Sequence, residues 1–330
     1  MMKNIFKALL FIALFSFSLH ILNGIVIDKS YNRYYMMEKD FEQHNEEFDV
    51  LVYGSCHAYT SFNCVTFNYL SDLNAYNLAN PSEIIPVTYL RMLNQFKNYT
   101  PKVVLVETWG INAYETYIDT NSILTSYLNP NIELLPFSRE KIEVINDFST
   151  LDIINDNIPL ARYKDRIVNG TLVYTDFNYS FEKHKNIFSD NNTNFIIKQT
   201  DVRQKYNGFY PQATNNMSNY PELQNYVNCD EYLAIEENIF KYIEKIIELC
   251  EKNNVKLIFY RSPYISSKNE LMKANYLEKY LTDNGVYYYD LEKELTFNYT
   301  TDFSDEYHLS NQGSKKATSF LSDKIMEIIN

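Results

Sequence analysis

The 330-residue chain predicts an α/β fold, a three-layer α/β/α sandwich on a mainly parallel sheet, carrying a large irregular insertion. Three observations carry this expectation. Strand-like runs alternate with helical periodicity at both ends of the chain, which parallel pairing with helical crossovers demands. The run Val103-Val-Leu-Val-Glu107 is continuously apolar rather than alternating, as expected of a strand covered on both faces. Between the two regular ends, residues 117–228 dissolve into Asn, Asp, Tyr and Pro, a length that compact domains keep only as a functional insertion.

Taken in order, the chain opens with Lys3 and Lys7 and then an almost wholly apolar stretch over residues 8–27, broken by Ser16, Ser18, His20, Asn23 and Gly24. About 20 such residues suffice for a helix to cross a hydrocarbon core of roughly 30 Å. Positive charge before the run and Asp28 after it favour the N-terminus inside and the bulk of the chain outside. Residues 1–28 are therefore expected to be an uncleaved membrane anchor, with a signal peptide as the alternative. The run exceeds the usual signal core and lacks an Ala-x-Ala site. Residues 29–48 read as a polar connector, with Tyr31, Tyr34 and Tyr35 followed by Glu38, Asp40, Glu42, Glu46 and Glu47.

A single domain is expected over residues 49–330. Val50 to Tyr53 reads as a buried strand, Gly54 breaks it, and Ser55, Cys56 and His57 follow on a turn leading into a helix. A short strand comes at residues 75–79, and Ser82 is the expected N-cap of a helix over residues 83–96. Within the insertion, residues 139–147 form a helical piece, and the segment is expected to cover or flank the functional edge. Arg162, Lys164, Arg166, Lys183 and His184 give it positive charge that could meet a phosphate-bearing polymer, although solvated surface accounts for each alone. Regular structure resumes with an amphipathic helix over residues 230–253, on Ile235, Ile239, Ile243, Ile246, Ile247 and Cys250. A strand at 255–260, a helix stopped at Asn284-Gly285, a strand at 286–289 and a final helix over 314–329 complete the pattern.

Composition excludes some functions. Hydrophobic residues make up 45% and charged residues 22%, so the chain is globular. Lys plus Arg number 30 against 42 Asp plus Glu, a net charge of −12, with no basic stripe to suggest nucleic acid as partner. The 30 Tyr, beside only 7 Gly, are the imprint of an AT-rich coding sequence, as are the Asn-x-Ser/Thr sequons. Cys56, Cys64, Cys229 and Cys250 have no metal-ligand spacing, and neither a metal nor an organic cofactor is suggested. Cys250 falls on an apolar helix face; a Cys56–Cys64 bridge is an open alternative that would block the thiol of Cys56.

The chemistry gathers in two stretches. One is the Gly54-Ser55-Cys56-His57 turn at the carboxyl edge of the first strand, where open α/β sheets bind ligands. The other is Asp302-Phe-Ser-Asp-Glu-Tyr-His-Leu-Ser-Asn-Gln-Gly313, in which Asp305 stands three residues before His308. A nucleophile on the first turn, with a base and its orienting carboxylate before the last helix, follows the logic of a catalytic triad. An imidazole can deprotonate a thiol, and the thiolate is the competent nucleophile. Ser55 is the fallback nucleophile, and His57 is expected to turn into the helix–sheet interface.

Together these stretches resemble the SGNH (GDSL-like) hydrolase superfamily, over roughly residues 45–115 and 230–330. More narrowly they resemble its membrane-anchored branch, which includes the teichoic-acid D-alanylation and alginate O-acetylation families. The resemblance implies a flavodoxin-like three-layer sandwich and an acyltransferase or esterase with Cys56, His308 and Asp305 as catalytic residues. It further implies oxyanion donors after the second and third strands, matched here by Asn80 and by Gly110-Ile111-Asn112. A cell-surface glycan or teichoic-acid-type polymer would be the acceptor, and a multi-spanning membrane acyltransferase the partner. The chain departs from the family at the nucleophile, where the family carries Ser and this sequence has Cys56. A non-catalytic envelope protein that binds the polymer or scaffolds the acylation machinery is the rival reading.

Overall fold

A computed structural model describes residues 2–26, 33–44, 46–112, 131–133, 135–148, 158–162, 190–217 and 229–330. Five strands form one all-parallel sheet: β1 (Val50–Tyr53), β2 (Ala75–Asn77), β3 (Val103–Glu107), β4 (Lys256–Arg261) and β5 (Tyr287–Asp290), in the order β2-β1-β3-β4-β5. In register, Val50 lies opposite Ala75 and Val103, and Val103 lies opposite Lys256. All strands therefore end on one edge, from Tyr53 through Glu107 to Arg261. This fold is the α/β sandwich with a parallel sheet that the sequence predicts.

The two faces of the sheet explain the uninterrupted apolar runs. Leu51, Tyr53, Val104, Val106, Leu257 and Phe259 belong to one core, with the helices Ile85–Gln95, Glu237–Lys252 and Lys268–Asp283. Val50, Val52, Val103, Leu105, Ile258 and Tyr260 belong to the other, with Cys56–Ser61, Cys64–Ser71 and Asn311–Ile329. Adjacent residues feed opposite faces, so only a strand apolar at every position satisfies both.

Helix boundaries differ from the sequence expectation where local chemistry intervenes. Ser82 has φ +54° and caps nothing; the helix starts at Ile85 with Ile84 as N-cap and no side-chain cap bond. The final helix begins three residues before the expected start, because Ser310 Oγ accepts the N–H groups of Gln312 and Gly313. The helix expected over 230–253 runs from Glu237 to Lys252.

The largest difference lies in the connector. Residues Arg33–Gln43 form a helix that places Tyr34, Met37 and Phe41 in the first core. Its polar side is not simply solvated either: Glu38 pairs with the buried Arg91, and Asp40 accepts the Tyr76 hydroxyl at 2.5 Å. What reads as a polar linker is a structural layer of the domain.

The described parts of the insertion are likewise built in. Helix Arg139–Phe148 buries Val144, Ile145 and Phe148 in the first core. Helix Asp190–Lys205 packs on the connector helix, and the turn after it covers the free edge of β2, where Asn77 N–H donates to Asn207 O at 2.8 Å. Gly208 (φ +85°) is required there, since a Cβ would sit 1.9 Å from Asn77 O. An edge strand is thereby covered. Downstream, Asn215 N–H donates to Phe303 O and Asn311 N–H to Gln212 O, so the insertion also braces the loop that bears His308. At the N-terminus, Met2–Val26 is one helix, whose residues Lys3–Asn23 have a mean hydropathy of 2.1 and are long and apolar enough to cross a membrane.

Candidate active site

The turn after β1 is fixed by two residues. Gly54 has φ +131°, and a Cβ there would meet Glu107 Cβ at 2.8 Å, so the close approach of β1 and β3 excludes a side chain. Ser55 is the N-cap of the helix that starts at Cys56 and accepts the His57 N–H at 3.3 Å. Its hydroxyl donates to Glu107 Oε2 at 2.9 Å, and Glu107 Oε1 accepts the Trp109 N–H at 2.9 Å. Glu107 is buried, which pushes its carboxyl up to about 7 against the opposing bonds from Trp109 and Ser55. Ser55 is itself fully buried and bonded to this carboxylate, so it does not face the site as a nucleophile would.

Cys56, the next residue, is partly exposed at the carboxyl edge. All four cysteines are free, so the Cys56–Cys64 bridge does not form. Cys64 is buried in the second core, and burial pushes its thiol well up.

The second half of the site is a loop closed on itself. Ser304 N–H donates to His308 O and Ser310 N–H to Asp302 O, both at 2.9 Å. Gly313 lets the last helix lie against the loop, since a Cβ would fall 2.1 Å from Asp302 O. Asp305 Oδ1 accepts the N–H groups of Tyr307 (2.8 Å) and His308 (2.9 Å), and the His308 ring bonds the same carboxylate through Nδ1 at 2.9 Å. These contacts set the tautomer, because an Nδ1–H bonded to Asp305 leaves Nε2 as the unprotonated nitrogen of the neutral ring. Nε2 is buried and has no hydrogen-bond partner.

The imidazole carries an altered proton affinity. Burial acts to lower it, but the hydrogen bond donated to Asp305 and the interaction with the Cys56 sulfur outweigh burial and raise His308 to about 10. Asp305 moves the other way: burial opposes its ionisation, yet the bonds to His308 and to the Tyr307 and His308 amides hold it below its ordinary value. The structure thus brings together Cys56, His308 and Asp305 from opposite ends of the chain.

The other predicted residues are placed as follows. Asn80 spends its backbone N–H on Gly54 O (2.9 Å) and its Nδ2 on Asn131 Oδ1 (3.2 Å), so its main chain holds the β1 turn instead of offering an oxyanion donor. Gly110 is a packing position; a Cβ would lie 2.8 Å from Glu83 O. Asn112 is buried and donates to the Tyr264 hydroxyl at 3.0 Å, leaving Oδ1 without a partner. Arg162 ends a short helix, Pro159–Arg162, whose Leu160 N–H donates to Asn23 Oδ1 of the N-terminal helix at 2.9 Å. Lys164, Arg166, Lys183 and His184 lie outside the described residues.

Comparison with known proteins adds little. A sequence model of an uncharacterised protein family matches residues 212–330. No curated protein matches the chain. The matched segment carries Asp305 and His308 but not Cys56.

Three residues that sequence reasoning missed or misplaced complete the site. Glu107 is the buried carboxylate behind the turn after β1; its place at the end of an apolar strand was the available signal. His57, expected to turn into the helix–sheet interface, packs its ring against those of Trp109, Tyr264 and His308. Arg261 is buried at the end of β4, paired with Asp290 at 3.0 Å and Glu292 at 2.6 Å. No cluster of three or more His, Cys, Asp or Glu that could hold a metal ion occurs among the described residues.

Proposed function

We propose that this chain is a membrane-anchored, extracytoplasmic SGNH-like acyltransferase or esterase that works through a Cys56–His308–Asp305 triad on acyl groups of a cell-envelope polymer. The observation that carries the reading is the state of His308, fixed at Nδ1 by Asp305 while Nε2 stands unbonded beside Cys56. The apolar helix Met2–Val26 supports the membrane anchor, and the parallel sheet with both loops at its carboxyl edge supports the flavodoxin-like architecture.

In this reading His308 Nε2 takes the proton of the Cys56 thiol as the sulfur attacks. The Cys56 sulfur attacks the acyl carbonyl carbon of the donor ester, a C–S bond forms, and the carbonyl π pair moves onto oxygen. Collapse of that intermediate breaks the donor C–O bond, and the proton on His308 Nε2 passes to the departing oxygen. A hydroxyl of the acceptor, or water, then gives its proton to His308 Nε2 and attacks the thioester. A C–O bond forms, the C–S bond breaks, and the proton on Nε2 returns to the Cys56 sulfur. Throughout, Asp305 stays ionised and stabilises the charged imidazole. The acceptor is a cell-surface glycan or teichoic-acid-type polymer, and a multi-spanning membrane acyltransferase is the donor-side partner.

The test is intact-mass spectrometry of the protein incubated with an activated acetyl ester. The expected result is one acetyl adduct that maps to Cys56 and is absent from His308→Ala. No adduct on a folded wild-type protein, with Cys56 freely alkylatable, would replace this reading with that of a polymer-binding protein.

A further inference from the structure

The turn that bears Cys56 is held by the loop after β2. Asn80 N–H donates to Gly54 O at 2.9 Å, and Leu78 N–H donates to Val52 O at 2.8 Å. Whatever fixes residues 78–83 therefore fixes the backbone that leads into Cys56. Arg91, fully buried on the helix Ile85–Gln95, does so. Its Nη2 donates to Leu78 O at 2.5 Å, and its Nη1 pairs with Glu83 Oε2. Glu83 closes the loop, since its N–H donates to Asn80 O at 3.2 Å and its Oε1 accepts the Thr88 hydroxyl at 2.7 Å.

The guanidinium has one further partner, and it lies outside this loop. Nη2 and Nε both donate to Glu38 Oε1, at 2.7 and 3.3 Å. Glu38 belongs to the connector helix Arg33–Gln43, the first described element after the apolar helix Met2–Val26. Tyr34, one turn earlier on the connector helix, has its ring centroid 4.8 Å from the same guanidinium. Hydrogen bonds thus run from the connector helix through Arg91 and the loop after β2 to Gly54. Apolar side chains alone would dock this helix, as Tyr34, Met37 and Phe41 already do in the first core. A buried ion pair seldom adds net stability over such packing, whereas a partner out of place is severely penalised.

We propose that Arg91 is a positioning residue that couples the docked connector helix, through Glu38 on one side and Leu78 and Glu83 on the other, to the turn that bears Cys56. This inference rests on the Cys56–His308 reading given above. A connector helix seated on the domain holds the loop after β2 and, through Asn80, the turn after β1. A helix drawn away leaves Arg91 with the loop alone, and the turn loosens. The segment that joins the domain to its anchor thereby bears on the reactivity of the Cys56 thiol.

Three variants of the full-length protein in detergent micelles separate positioning from packing. Glu38→Ala cuts the link, and Glu38→Gln keeps an acceptor and loses the charge. Met37→Ala removes a core side chain from the same helix and leaves the ion pair. Thermal melting sets a temperature at which the variants are folded, and Glu38→Gln carries the comparison if Glu38→Ala melts below it. The readouts are amide hydrogen exchange over residues 78–83, by peptide mass spectrometry, and the rate of Cys56 acetylation by an activated acetyl ester. In Glu38→Ala exchange should rise and acetylation should slow about tenfold, with Glu38→Gln in between and Met37→Ala within about twofold of the wild type. Wild-type exchange and acetylation in the folded Glu38 variants would overturn this inference alone, as would an equal slowing in Met37→Ala. No adduct on Cys56 of the folded wild type would overturn the Cys56–His308 reading itself, and exchange would then still decide whether the connector helix holds the loop.

Discussion

The connector helix should decide where a soluble fragment can begin. Tyr34, Met37 and Phe41 are 7%, 0% and 8% exposed, and all three sit in the core that covers one face of the sheet. Removing three such side chains forfeits about 1.5–3 kcal/mol each, or roughly 4.5–9 kcal/mol together. Arg91 would also lose Glu38, which bonds it at 2.7 Å, and would keep only Glu83 and the Leu78 carbonyl. Stripping one partner from a buried charge costs about 3–5 kcal/mol, to be discounted here because the Glu38 side chain is 17% exposed. The total rivals the 5–15 kcal/mol that holds a typical domain together. A fragment starting at residue 30 should therefore unfold cooperatively in urea, whereas one starting at residue 49 should be aggregated or molten by near-ultraviolet circular dichroism. Met37→Ala in the longer fragment is the milder version and should cost about 2–5 kcal/mol. Matching urea midpoints for the two fragments, with an unperturbed Met37→Ala, would refute the claim that this helix belongs to the domain.

Four further outcomes follow from the site. Asp305→Asn removes the carboxylate that fixes His308, so Cys56 acylation should slow by about a hundredfold or more at neutral pH, read by intact mass against time. Because His308 is raised to about 10, its contribution to stability is complete below about 6.5 and is lost as pH rises towards 10. The stability gap between wild type and Asp305→Asn should accordingly close over that window in urea titrations. Glu107 acts in the same direction over a lower window: its carboxyl rises from 4.5 to about 7, so the folded state binds the extra proton and stability falls as pH rises between those values. Glu107→Gln should flatten that fall by up to about 3 kcal/mol, measured as the difference between the two pH profiles. Gly54→Ala should abolish acylation and lower the melting temperature, since φ +131° and the 2.8 Å contact with Glu107 Cβ leave no place for a methyl.

What could be read from the sequence was whatever is local. β1 and β3 are apolar at every position and buried at every position, so the parallel sheet was legible. Asp305 and His308 are three residues apart and bonded within one loop, so their pairing was legible too. The connector was not, although Tyr34, Met37 and Phe41 stand at helical spacing, because Glu38, Asp40 and Glu42 mask the stripe. The partner that makes Glu38 tolerable in a core, Arg91, lies 53 residues downstream. Asn80 misled for a related reason: the sequence places it on the right loop, but whether its N–H is free depends on the Gly54 carbonyl across the sheet. Long-range hydrogen bonds consume donors that a sequence leaves apparently available.

The carboxyl edge is held by buried charge rather than by apolar packing alone. Glu107 clamps the turns after β1 and β3, bonding Ser55 and the Trp109 amide. Glu83 anchors the loop after β2 through Arg91 and the Thr88 hydroxyl at 2.7 Å. Asp290 joins the ends of β4 and β5 through Arg261 and accepts the Glu292 N–H at 3.1 Å. Asp302 stands beneath the base loop, fully buried, accepting the Asn298 N–H at 2.8 Å and pairing with Lys316 at 2.5 Å. Four acidic side chains thus hold the loops of this edge. Buried ion pairs seldom add net stability over an apolar replacement, but losing one partner is severe, so such contacts penalise misplaced loops far more than they reward the native one. That penalty suits a site assembled from residues some 250 positions apart in sequence, whose chemistry in the reading proposed here depends on one nitrogen standing against one sulfur.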